Sequence, residues 1–168
     1  MPLPGGLVSA ALITCERALI ERDNVVSAVR LVDVFYVQET ANLPEKPSGV
    51  VQLYAVLALK VGSAASTGEH EVTLELIRPD GVRDEVGKKY SVNFAPRIDG
   101  VPGGHTIITQ LNVRCGEPQS FGTYQICAFL DRDELARTPF TILLQAQQHR
   151  PGVESDVREG RPEDPATP

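Results

Sequence analysis

Gly122-Thr123-Tyr124-Gln125-Ile126-Cys127-Ala128-Phe129-Leu130 is followed by Asp131-Arg132-Asp133-Glu134 and then by Leu135-Ala136-Arg137-Thr138-Pro139-Phe140-Thr141-Ile142-Leu143-Leu144. Two runs rich in apolar residues around a short polar turn read as a β-hairpin. Pro139 has no N–H to give to a ladder, so the second strand is expected at a sheet edge or to begin after the proline. The same pattern continues towards the N-terminus. Ile107, Thr109, Leu111 and Val113 alternate with Thr106, Ile108, Gln110 and Asn112. Tyr90, Val92 and Phe94 alternate with Ser91 and Asn93, and Val72, Leu74 and Leu76 with Thr73, Glu75 and Ile77. A period of two places alternate side chains on opposite faces of a strand. Arg78-Pro79-Asp80-Gly81 joins two of these runs: Pro pre-sets one turn angle and Gly supplies a positive φ.

Val50 to Val61 is nearly continuously apolar and long enough for three helical turns. Strand spacing puts Val51, Leu53, Ala55, Leu57, Leu59 and Val61 on one wholly apolar face, with a mixed face behind it, as a sandwich strand requires. Val8–Ile20 and Val25–Val29 flank the polar Glu21-Arg22-Asp23-Asn24 and predict another hairpin. Arg30–Val37 reads as a strand or a short irregular segment, and residues 38–49, 62–68 and 96–104 read as loops rich in Gly, Pro or small residues. Seven or eight short strands without a convincing helix predict an all-β fold, a two-sheet antiparallel sandwich. The domain is expected over residues 7–145, between a flexible N-terminus (1–6) and a disordered, Pro-rich acidic tail (146–168) that cannot bury enough apolar surface to offset its ordering entropy.

Composition excludes more than it assigns. A net charge of −6 over 168 residues disfavours nucleic acid and anionic membranes, both of which need a basic surface. Aromatic content of 5% without Trp weakens sugar binding and base stacking. Three cysteines, Cys15, Cys115 and Cys127, make no disulfide framework and read as buried thiols of a cytoplasmic protein. Leu7–Cys15 is apolar but no Lys or Arg precedes it, so the basic region of a leader is missing.

Two stretches carry a resemblance. Leu12–Val37, with Cys15 and Val32-Asp33-Val34-Phe35, and Gly122–Leu144, with Gly122-Thr123-Tyr124 and Thr138-Pro139-Phe140, resemble a bacterial family of small all-β proteins of unknown function. The resemblance implies an immunoglobulin-like sandwich and transfers no catalytic residue.

Candidate sites are few. His70 and His105 read as exposed strand-end histidines, and no nucleophile motif accompanies them. No close Cys or His pairs suggest zinc. Asp80, Asp99, Asp131, Asp133 and Glu134 stand at turns, where calcium or simple turn chemistry would both place them. Gly100–Gly104 leads into a strand and not into the helix a phosphate cradle needs. Asp33 is a lone acid in an apolar run, so it is either paired, with Arg30 nearby, or half exposed. In the second case Phe35 and Tyr36 offer contact area to a partner, and with Pro139 they are the candidate partner-binding residues. The expectation is a non-enzymatic interaction or structural module without cofactor or metal, binding a protein partner or itself through a strand edge or apolar sheet face. The alternative is a small-ligand binder or enzyme using the loop with Arg97, Asp99 and His105.

Overall fold

The computed structural model describes residues 7–38, 49–62, 68–94, 103–116 and 118–145. The expectations for residues 1–6 and 146–168, and for Arg97 and Asp99, lie outside them. Nine strands form: β1 (Leu7–Ile20), β2 (Val26–Leu31), β3 (Val34–Gln38), β4 (Gly49–Val61), β5 (Gly68–Ile77), β6 (Arg83–Phe94), β7 (Gly103–Cys115), β8 (Gly122–Leu130) and β9 (Asp133–Gln145). They make a four-stranded sheet, β2-β1-β4-β7, and a five-stranded sheet, β3-β9-β8-β5-β6. All pairings are antiparallel except β3 with β9, which is parallel.

The alternating pattern builds the core. In β4 the apolar face is buried throughout: Val51, Leu53, Ala55, Leu57, Leu59 and Val61. It lies in register with β7, where Leu53 faces Leu111 and Leu57 faces Ile107. From the other sheet Val72, Leu74, Phe94, Tyr124, Ile126, Phe140 and Ile142 close the core. Such burial is the dominant favourable term in folding.

Arg30–Val37 is neither one strand nor a loop. It divides at Val32-Asp33, where the chain leaves the four-stranded sheet and enters the other. Thr14 anchors the crossing: its hydroxyl donates to the Val32 carbonyl at 3.0 Å. The Thr141 N–H then donates to the Asp33 carbonyl at 2.7 Å. The Asp33 side chain is exposed, and Arg30 pairs with Glu16 at 3.0 Å. The last change of sheet joins β7 to β8 through a 3-10 turn, Pro118–Ser120. Here the Tyr124 hydroxyl donates to the Ser120 carbonyl at 2.7 Å, the tyrosine-corner device of sandwich folds.

Two expectations are corrected. β9 begins at Asp133, before Pro139, and it lies between β8 and β3 and not at an edge. Pro139 is tolerated because β3 pairs only from Thr141 onward, so no ladder partner asks Pro139 for an N–H on that flank. The polar turn shrinks to Asp131-Arg132, because Asp133 and Glu134 pair with Leu130 and Phe129. At the far edge, Gly87, Lys88 and Lys89 of β6 stand opposite the single Thr73 as a bulge of three residues against one. Gly87 has φ +79°, and a Cβ there would meet Thr109 Cγ2 at 2.8 Å. The bulge carries the Tyr90 hydroxyl to 2.7 Å from Thr109 Oγ1 and so closes that flank.

Candidate functional site

The histidines are not exposed strand ends. His70 shares the inward phase of Val72, Leu74 and Leu76, and its side chain is 12% exposed. Its ring lies 4.7 Å from the Phe94 ring, and its Nδ1 is 2.5 Å from Asp131 Oδ2. The second oxygen of Asp131 accepts the Glu71 N–H at 2.9 Å. These hydrogen bonds, with that from His70 foremost, hold the Asp131 carboxyl below its usual range. His105 is half-buried, opposite Leu59, with its ring 5.5 Å from that of Phe94. Phe94 thus contacts both imidazoles, one from β5 and one from β7.

Beside this cluster is an open cleft of 430 Å³ lined by Glu69, Glu71, Lys89, Ser91 and Asp131. Its groups pair with one another. Lys89 Nζ is 3.0 Å from Glu71, which raises the lysine pKa, and the Ser91 hydroxyl donates to Glu69. A carboxylate orienting an imidazole Nδ1 is half of a general-base arrangement. The two hydroxyls lining the cleft are engaged elsewhere, that of Ser91 with Glu69 and that of Tyr90 with Thr109. The geometry therefore clasps β5 to the β8–β9 turn. The phase of His70 and His105 was readable from the alternation; the Asp131 contact spans 61 residues and leaves no local signal.

Asp80 serves its turn by accepting the Val82 N–H at 3.0 Å, whereas Glu134 lies in β9 and binds Arg137 of the same strand at 2.8 Å. Among the described residues no group of three or more His, Cys, Asp or Glu could hold a metal ion. Cys15, Cys115 and Cys127 are all buried and free, and burial pushes each thiol pKa up. Among the described residues no helix is long and apolar enough to cross a membrane.

The partner-binding candidates separate. Phe35 points inward and meets Phe140 edge-on at 5.9 Å. Tyr36 is 63% exposed and Pro139 is exposed. Apolar side chains that reach solvent gather on one flank: Leu19, Ile20, Val25, Val29 and Leu31 on the β1–β2 arm, and Val34, Leu143 and Leu144 beside Tyr36. On this flank, among the described residues, each sheet ends in an edge strand, β2 and β3. β1 pairs with β4 only as far as Cys15 opposite Tyr54. Beyond it a cleft of 360 Å³ opens between Glu16, Arg17, Tyr36 and Val50.

A scan against family models finds no match. A search of the curated proteins finds none either. Solved structures do resemble the chain. An alkylpurine DNA glycosylase of Pseudomonas fluorescens, bound to DNA with an abasic-site analogue, aligns at TM-score 0.45 and 13% identity over 66% of this chain. The chain spans 27% of that enzyme's length. The CARDB domain of a Pyrococcus furiosus protein, in complex with di-metal ions, aligns at 0.41 and 12% identity, over 81% of this chain and 90% of that one. An immunoglobulin-like protein of Pseudomonas aeruginosa aligns at 0.29 and 14% identity, over 81% of this chain and 99% of the other.

Proposed function

We propose that the protein is a non-enzymatic interaction or structural module of the cytoplasm, of a bacterial family of immunoglobulin-like sandwiches. It binds a protein partner or a second copy of itself through an open strand edge or an apolar sheet face. The observation that carries this reading is the apolar flank: Leu19, Ile20 and Leu31 are 52%, 68% and 66% exposed, beside β2 and β3, which are the edge strands there among the described residues. Large apolar side chains left in solvent beside an edge strand suit a protein partner, and an edge strand accepts a partner strand. Three buried free thiols suit a reducing compartment. A net charge of −6 speaks against nucleic acid and membrane as partners.

Affinity capture from the native host, read by mass spectrometry, tests the reading with wild-type chain and with Leu19→Glu plus Leu31→Glu. One near-stoichiometric protein lost with the double variant is expected. Recovery of neither a partner nor the chain itself would overturn the proposal. It would favour the alternative of a small-ligand binder or enzyme, for which the His70–Asp131 pair beside a polar cleft speaks, although no described residue of the Arg97–His105 loop lines that cleft.

A further inference from the structure

We infer that the chain forms a twofold dimer through the outer face of its four-stranded sheet. This rests on the interaction-module reading and names the partner as a second copy. Ladder register decides which side chains stand on that face. Leu12 and Thr14 share the buried face with Leu57 and Ala55, so the intervening residues point outward. Ile13 stands opposite Val56 and Val56 opposite Ile108, an apolar row across three strands. Ala11 with Ala58, and Cys15 with Tyr54, flank that row. Register places Val56 and Cys15 on the outside, where they are 5% and 0% exposed, while Ala11 and Ala58 are exposed.

The two outer faces differ in charge, although Gln52, Gln110, Asn112 and Thr106 also stand on the outer face of the four-stranded sheet, around the apolar row. A sheet face in water ordinarily carries polar side chains. The five-stranded sheet obeys, with Glu71, Glu75, Glu85, Arg83 and Arg137 on its outer face in register. Among the described residues the four-stranded sheet sets no carboxylate on its outer face. Its charges there are Arg17, Lys60 and Arg114, opposite Val29, Ser9 and Val50 and away from the apolar row.

Size and charge favour a second copy as the occupant. The three strands β1, β4 and β7, about 4.8 Å apart with a rise of about 3.3 Å per residue along the 13 residues of β4, present roughly 600 Å². That is the lower end of the area each partner covers in a stable complex, about 600–1,000 Å². Two chains of net charge −6 repel, but this acid-free face lets them meet without apposing carboxylates. The acid-bearing sheets then turn outward. Ala11 and Ala58 are small, which lets the sheets approach to the usual spacing of about 10 Å. The same patch on both copies closes by a twofold axis in the interface plane.

Sedimentation equilibrium of the full chain tests this, with Ala58→Glu and, independently, Ala11→Glu. Both positions are exposed in the single chain, so either variant keeps its fold, checked by circular dichroism. Thr123→Glu, on the other sheet's outer face, is the control. Twice the 18.2 kDa chain mass is expected for wild type and control, with at least tenfold weaker association in the two alanine variants. A wild-type monomer at every concentration, an open-ended series of larger masses, or a dimer as tight in both alanine variants as in wild type would overturn the inference. A monomer that still captures a different protein would leave the interaction-module reading standing.

Discussion

Asp131 does the work of two residues. One oxygen accepts from the His70 ring and the other from the Glu71 N–H, so the carboxylate ties the β8–β9 turn to β5. Its pKa lies below the ordinary value, so the ionised form is favoured by folding. The stability it contributes is therefore present above its unfolded pKa and is lost as pH falls through the lowered folded pKa. The side chain is 49% exposed, which screens the interaction. Asp131→Asn is expected to lower stability by less than about 1 kcal/mol at neutral pH. The gap to wild type should close as pH drops below the usual carboxylate range, as melting curves of both chains across pH would show. A gap that is constant with pH would mean that the charge is irrelevant.

At the scale of the element, the closing hairpin shows what was legible and what was not. Its two strands followed from apolar and β-branched composition. Its turn did not, because Asp131 and Arg132 take φ of +48° and +83°, and only register fixes a two-residue turn against a four-residue one. Positive φ at both positions is the turn that matches strand twist, and it favours Asn or Asp followed by Gly. Arg132 is the misfit. Arg132→Gly relieves a left-handed side chain at some cost in chain entropy, for a net gain of about 0.5–1 kcal/mol. A higher urea midpoint at unchanged slope would confirm it. Pro139 misled for a related reason: a proline excludes a ladder bond on one side, and sequence does not say how far the neighbouring strand reaches. The β6 bulge at Gly87 was hidden altogether, since three residues facing one leave no mark on the alternation.

For the whole molecule, alternation was enough to give two layers and their inner faces. It gave neither the change of sheet at Val32-Asp33 nor the parallel partner of β3, which are set by contacts far apart in the chain. The site lost more, because Asp131 meets His70 only through the folded sheet. Phe140 joins these distant parts: its ring stacks on Tyr124 at 5.2 Å and meets Phe35 at 5.9 Å, linking β8, β9 and β3. It is 1% exposed. Phe140→Ala is expected to cost about 3–5 kcal/mol, a large part of the roughly 5–15 kcal/mol that holds a domain folded. Equilibrium urea unfolding measures it, and a loss below 1 kcal/mol would show that the three strands are held together elsewhere.

The parallel pairing of β3 with β9 also sets a timetable for synthesis. Val34 takes its place beside Thr141, which the ribosome adds 107 residues later. At roughly 5–20 residues per second, β3 waits about 5–20 s for its partner strand. During that interval Val34-Phe35-Tyr36-Val37 is a nascent, unpaired and apolar strand, the part of the newborn chain most in need of a chaperone's cover.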